Sequence, residues 1–378
     1  MTDIVVTGMG VRTGIASNIG EFSGALRQGL SATQIDMDSL DTSLPSAARP
    51  MFRNAPLAGR VACAVAMDAW LAAGLTDYPH PEQVAVIVAG NNIHQTYITN
   101  HFSRYLEQPA YLSPRYAVNF LDTSVVGMVS ELVRARGFGF TTGGASASGN
   151  VALFQAFHFL RGGQAHVCLC VGALADYSSF ELQAFTNLGA MSLESPCRPF
   201  DSNRSGFVYG QGGACLILET RSHATSRGAE PIAQLAGVSL NLDANHSAEP
   251  AAAGEARAMR QALQSAGIEA SAIDYVNAHG SASHAGDIAE ATALSEIFSQ
   301  SSSPVVNSTK ALTGHTLYAA GIVEAIATII QMRDGFIHPN PFLDHPLDAQ
   351  LHFAGKIAQP ATIRAALSIE CLWRPRFS

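Results

Sequence analysis

Apolar positions fall into two kinds of run. Short, nearly unbroken ones are DIVVTGMGVRTG at the start, QVAVIVAGNN (83–92), HVCLCVGALA (166–175), ACLILE (214–219), DYVNAHG (274–280) and PVVNSTK (304–310). Their length, β-branched content and bounding glycines predict strands. Between them lie segments of helical period: GRVACAVAMDAWLAAG (59–74), VALFQAFHFLRGG (151–163), EARAMRQALQSAG (255–267) and GIVEAIATIIQMRDG (321–335). Apolar strands alternating with helices predict an α/β fold whose sheet is covered on both faces. Val151, Leu153, Phe154, Phe157 and Leu160 leave 147–160 few polar positions, so this helix is expected to be buried. The polar stretch ETRSHATSRGAEP marks the expected join between an N-terminal half (1–225) and a C-terminal half (226–378).

Composition narrows the function classes. Of 378 residues 47% are apolar and 14% charged, which suits a large core. The net charge is −8, no basic block occurs, and the only two lysines are Lys310 and Lys356. Binding of nucleic acid through a basic stripe is therefore not expected. The six cysteines (Cys63, Cys168, Cys170, Cys197, Cys215 and Cys371) form no CxxC pair, and most read as buried free thiols. The N-terminus has no basic, apolar signal segment, and the longest uncharged stretch, 137–160, is too rich in Gly, Ser and Thr to span a membrane. A cytoplasmic protein without membrane contact is expected.

Three polar groupings follow strands, where α/β folds place their sites. Gly143–Asn150 (GGASASGN) puts Ser146 before a buried helix. A serine there can meet unpaired N–H groups as an anionic nucleophile, or simply cap the helix. It misses the hydrolase elbow GxSxG by one residue, since Ser148 stands where the second glycine belongs. The second grouping, NAHGSASHAGD (277–287), carries His279 directly after a strand, either facing a pocket or as a satisfied structural histidine. In the third, NSTKALTGH (307–315), Lys310 and His315 follow a strand. A buried lysine needs a partner, and Glu324 in the next helical run is available; a surface lysine at a turn is the alternative. Metal-ligand spacing, a P-loop and a dinucleotide fingerprint are all missing.

Taken in order, VVTGMGVRTG, PCRPFDSNRSGFVYGQGGACLILE (196–219), YVNAHGSASHAGD (275–287), NSTKALTGHTLYAAGIVE (307–324) and PNPFLDHP (339–346) resemble the β-ketoacyl-acyl-carrier-protein synthases of the thiolase superfamily. The resemblance runs over about residues 1–355. It implies a thiolase-like five-layered αβαβα sandwich of two similar halves, usually an extensive dimer. It also implies that His279, Lys310 and His315 are the family's two histidines and lysine for decarboxylation and condensation. Ser146 then stands where the family has its nucleophilic Cys, and no cysteine is nearby. A hydroxyl is a far weaker nucleophile than a thiolate, and a helix dipole worth ~0.3–1 kcal/mol does not close that gap. The family's C-terminal GFGGxN segment, whose Phe amide belongs to the oxyanion hole, is also missing: 366–378 reads ALSIECLWRPRFS.

Both departures weaken acyl transfer onto residue 146, and neither removes the decarboxylation set. Three readings follow. The first is a decarboxylase turning malonyl-acyl-carrier-protein into acetyl-acyl-carrier-protein with His279, His315 and Lys310. The second is a chain-length-factor-like subunit that pairs with an active ketosynthase and shapes its polyketide tunnel. The third is a condensing enzyme or hydrolase using Ser146. All imply an acyl carrier protein as partner, its phosphopantetheine arm as the only carrier group, no bound cofactor or metal, and a homodimer or a heterodimer with a ketosynthase. Arg53, Arg60, Arg104, Arg134 and Arg136 are candidates for docking the acidic carrier. The segment Trp373–Phe377 is expected to plug a tunnel or pack on a partner.

Overall fold

A computed structural model describes residues 2–38, 40, 52, 54–194, 196–244, 249–298, 303–369 and 371–375. The strands are β1 (Ile4–Thr13), β2 (Val84–Ala89), β3 (Gly139–Thr142), β4 (Val167–Gly172), β5 (Gly212–Thr220), β6 (Ala233–Val238), β7 (Tyr275–Asn277), β8 (Val305–Asn307), β9 (Phe336–Ile337), β10 (Gln359–Pro360), β11 (Ala366–Ser368) and β12 (Cys371–Pro375). Ten of them form one sheet in the order β3-β2-β4-β5-β1-β6-β12-β11-β7-β8, while β9 and β10 pair separately.

This order is a palindrome. Outward from the β1–β6 joint, each side runs through its first, fifth, fourth, second and third strand. The directions repeat as well. β2 is parallel to β3 and β4, and β7 is parallel to β8 and β11. β5 is antiparallel to β4 and β1, as β12 is to β11 and β6. Only Ile4–Val6 of β1 bridge to Ala233–Leu235 of β6.

Six helices cover this sheet: α1 (Leu57–Ala72), α2 (Thr123–Val133), α3 (Ser148–Arg161), α4 (Ala252–Ala266), α5 (His284–Phe298) and α6 (Ala320–Asp334). Alternation along the strands divides the core. Val84, Val86, Val88, Leu169 and Ile217 face α1 and α2. Ala85, Ile87, Cys168, Cys170 and Leu216 point the other way, into a cluster with α3 and α6 that also takes in Leu235, Tyr275 and Ala366. Val276, Val306 and Leu367 face α4 and α5. The layers are therefore outer helices, strands, the α3–α6 pair, strands and outer helices, with the sheet curled round the central pair. Cys63, Cys168, Cys170, Cys197 and Cys215 are buried thiols outside any disulfide, each a small apolar filler here.

The expected strands and helices recur with ends shifted by a few residues. Strands β6 and β11 and the helices Ile19–Gln28, Gln95–Glu107, Ser179–Asn187, α2 and α5 were not anticipated. The segment expected to plug a tunnel or pack on a partner is different in kind. Residues 371–375 are an interior strand, paired on one side with β6 and on the other with β11; Phe377 lies outside the described residues.

The central helices meet with almost no side chain between them. A Cβ on Gly149 would stand 2.9 Å from Ile322 N and 3.2 Å from Gly321 Cα, both backbone atoms. Gly149→Ala is expected to cost about 1–3 kcal/mol by overpacking. The denaturation midpoint in urea checks this, and an unchanged midpoint would show that the helices can part freely.

Candidate active site

The site lies where four chain segments end against one another. β7 and β8 run parallel with Asn277 opposite Asn307. His279 comes two residues beyond the end of β7 and Lys310 three beyond β8. The two loops are stitched by short polar side chains. Asn277 Oδ1 accepts from Thr309 N and Oγ1, each at 3.2 Å. Ser308 Oγ donates to Gly280 O at 3.1 Å. Glu290 of α5 closes the arrangement from below, accepting His279 N on one oxygen and Gly280 N on the other, both at 2.7 Å. Gly280 has φ +39° and a Cβ there would meet Ser308 Cβ at 2.7 Å, so only glycine fits the turn.

Ser146 arrives from the other half of the fold. It sits in the single turn Ala145–Ala147 that leads into α3. Ser148, not Ser146, ties this turn down: its hydroxyl donates to Ala145 O at 2.6 Å and accepts Gly144 N at 3.0 Å. Ala145 takes the left-handed φ of +49°, unusual for a residue with a Cβ. Ser146 Oγ lies 2.9 Å from His315 Nε2. The His315 ring stands edge-on to His279 (centroids 5.4 Å apart, 84°) and to Phe207 (5.5 Å, 88°). Thus the structure brings Ser146, His279 and His315 together.

Hydrogen bonding decides what His315 can do. Leu317 N–H donates to His315 Nδ1 at 3.3 Å. The neutral ring therefore carries its proton on Nε2, which donates to Ser146 Oγ. In this tautomer His315 is a hydrogen-bond donor toward the site and not a base for the serine. That counts against a hydrolase or an acyl-serine enzyme built on Ser146.

Lys310, 1% exposed, forms a buried ion pair with Glu324 of α6. The partner suggested by the sequence is the one found. Burial, then the Lys310 charge, hold the His279 imidazole well below its usual pKa; burial, Lys310 and His279 do the same for His315. Both rings are neutral at physiological pH. Lys310 acts on them through its field, and it keeps Glu324 compensated.

A cleft of about 610 Å³ has His279 on its wall, with Ser281, Ser283, His284, Glu255 and Glu290 among the other lining residues. Sequence reasoning missed Glu290 and Glu255. Glu290 and Asp287 sit at i and i+3 of α5, both buried, and this spacing on a helix right after the His279 loop was the available signal. Of the arginines proposed for docking, Arg104, Arg134 and Arg136 are exposed and Arg60 is half-buried; Arg53 lies outside the described residues. Among the described residues no group of three His, Cys, Asp or Glu could hold a metal ion, and no helix is long and apolar enough to cross a membrane.

The buried acids and imidazoles pull stability in opposite directions. Burial, with Glu255 beside it, pushes Glu290 up to about 8; burial and Asp243 push Glu255 up to about 7. Raised acids bind protons in the folded state that the unfolded state has lost, so stability falls as pH rises through their window. His279, His315 and His338 have lowered folded pKa values, so their contribution is lost only as pH drops below the ordinary 6.5. The thermal midpoint is expected to fall from pH 6.5 to about pH 8 and to level off just below pH 6.5, where the two sets oppose. Thermal unfolding against pH checks it, and a midpoint that climbs between pH 6.5 and 8 contradicts it.

Comparison with known proteins accords with this geometry. Residues 35–224 match the β-ketoacyl synthase N-terminal domain, and residues 232–344 the β-ketoacyl synthase C-terminal domain. The chain is 34% identical over 390 residues to the polyketide biosynthesis malonyl-ACP decarboxylase PksF of Bacillus subtilis (strain 168), covering 98% of this chain and 93% of that one. The solved ishigamide ketosynthase/chain length factor superposes with a TM-score of 0.90 at 25% identity, covering 100% of both chains. A β-ketoacyl synthase from Burkholderia phymatum STM815 gives 0.87 at 27% identity, again over 100% of both. With the doubled strand order, the helix pair at its centre and these matches along nearly its whole length, the chain belongs to the β-ketoacyl synthase family and has its thiolase-like fold.

Proposed function

We propose that this protein removes CO2 from a malonyl thioester carried on the phosphopantetheine arm of an acyl carrier protein, releasing the acetyl thioester for polyketide or fatty-acid-type biosynthesis in the cytoplasm. One observation carries the reading: His315, with Nδ1 occupied by Leu317 N–H, aims its Nε2–H into the site at a residue that is a poor nucleophile. A pair of imidazoles beside a serine can stabilise an oxyanion but has little to form an acyl-enzyme with. The arm enters along the cleft that carries His279. The thioester oxygen accepts from the two imidazoles, and the C–C bond to the carboxylate breaks. CO2 leaves, and the charge gathers on an enolate oxygen that the donors already face. Neutral imidazoles suit this task, because they keep their N–H bonds without repelling Lys310. The likeness to PksF, named a malonyl-ACP decarboxylase, supports the same reading.

The chain-length-factor reading draws on the likeness to the ishigamide ketosynthase/chain length factor. Either role agrees with a second ketosynthase-like chain seated along β3. This strand is an edge of the sheet, and unpaired edges invite another strand. Nearby in sequence, Phe102, Leu106, Tyr111, Val118 and Leu121 are exposed, an apolar face of the kind that oligomers cover.

The purified chain alone, incubated with malonyl-loaded carrier protein, is expected to yield acetyl-loaded carrier by mass spectrometry. His279→Ala or His315→Ala should each slow this by ~10²–10³-fold, the usual loss for one oxyanion donor. Ser146→Ala should leave the rate of the same order. An inert chain that becomes productive only beside a cysteine-bearing ketosynthase would overturn the decarboxylase and favour the subunit role.

A further inference from the structure

Breaking the malonyl C–C bond leaves an enolate, and release of an acetyl group needs a proton on its carbon. The groups nearest the reacting centre have other commitments. His315 Nε2–H faces the oxyanion position, Lys310 is held by Glu324, and the Ser146 hydroxyl is too weak an acid. Among the described residues, the titratable ones along the cleft wall with His279 are Glu249, Glu255, His284 and Glu290. Both oxygens of Glu290 accept backbone N–H groups, and Glu249 and His284 are exposed.

Glu255 differs from all of these. It lies in the first turn of α4, and its Oε2 is buried with no hydrogen-bond partner. It lines the His279 cleft and also a second cavity of about 190 Å³, which reaches Ala147 and Asn150 beside Ser146. Among the described residues it is the one common to both walls. In the second cavity the buried Asn150 has an unpartnered side-chain oxygen and nitrogen, and Asn241 Nδ2 is unpartnered too. A carboxyl oxygen with no hydrogen-bond partner among the described residues thus stands on the wall that the two cavities share.

We propose that Glu255 is the acid that protonates the carbon freed by CO2 loss, an assignment that rests on the decarboxylase reading above. The C–COO⁻ bond breaks to give CO2 and the enolate. The enolate carbon then takes the Glu255 proton, forming a C–H bond and restoring the thioester carbonyl. Glu255 is left as a carboxylate and regains its proton from water in the cleft, so no oxidant or reductant enters. The surroundings keep the group loaded. Burial, Asp243 on the loop before α4, and Asp287 on α5 push its pKa up to about 7, and the Glu255 charge in turn raises Glu290 on α5. Arg257 on its own helix is directed to Asp243, 3.6 Å away. An acid that titrates near the working pH is suited to proton transfer.

The test uses the whole chain with malonyl- and acetyl-pantetheine as probes. Glu255→Gln is expected to lower acetyl release by ~10²-fold or more. Wild-type activity should decline as pH rises through about 7, and this alkaline limb should vanish in Glu255→Gln. Glu255→Asp, which keeps the acid, should recover part of both. Exchange of the acetyl hydrogens with D2O, which needs no decarboxylation, should be catalysed by the wild type and lost in Glu255→Gln. An active wild type with Glu255→Gln within about threefold of it and an unchanged pH profile overturns the assignment alone. Exchange without CO2 loss overturns the decarboxylase reading alone, and absence of both overturns the two together. A Glu255→Gln chain that unfolds is replaced by Glu255→Asp, whose pH profile then decides.

Discussion

The contact of α3 with α6 at Gly149 and Gly321 is the constraint on which the rest depends. Helices packed through side chains lie 8–10 Å apart. Here one helix leaves no room for a Cβ against the backbone of the other. The closeness lets the turn before α3 and the loop before α6 share one small volume, and Ser146 reaches His315 as a result. The buried pair of Lys310 with Glu324 works inside this frame. Such a pair recovers its desolvation cost only when geometry is well held, and Glu324 is held by the same α6 that carries Gly321.

Much of this was legible in the chain because the strands that matter most are made of β-branched and small apolar residues in unbroken runs. HVCLCVGALA has few readings other than a strand buried on both faces, and β4 is one. The central helices were equally plain, since α6 is apolar almost all round. The second half was harder. Strand β11 has three residues, too few for any period to show. Strand β6 contains Gln and Gly among its six. Residues 371–375 contain Arg and Pro, which argue against an interior strand, and only tertiary pairing with β6 and β11 makes them one.

The site divides along the same line. His279, Lys310, His315 and Ser146 stood out because each is a reactive residue just beyond an apolar run. The tautomer of His315 did not, because a backbone N–H two residues away sets it. Glu255 was hidden for a different reason. On α4 it reads as an ordinary acidic residue in a first helical turn, where carboxylates are common. Its burial and its carboxylate neighbours come from Asp243, Asp287 and Glu290, brought to it by the fold.

The palindromic sheet also has a consequence for the order in which the molecule is made. A ribosome delivers β6 early in the second half, yet the strand that fills the space between β6 and β11 is residues 371–375. Until those residues emerge, the nascent chain keeps an unsatisfied ladder on β6 and an open gap in the middle of its largest sheet. The first half has the same schedule: β1 is delivered first and waits for β5. Each half is thus closed by the last of its five strands, so native structure comes in two late steps rather than growing steadily, and long-range pairings of this kind fold slowly. The price in the interval is exposed strand edge, the condition under which chaperones are most needed.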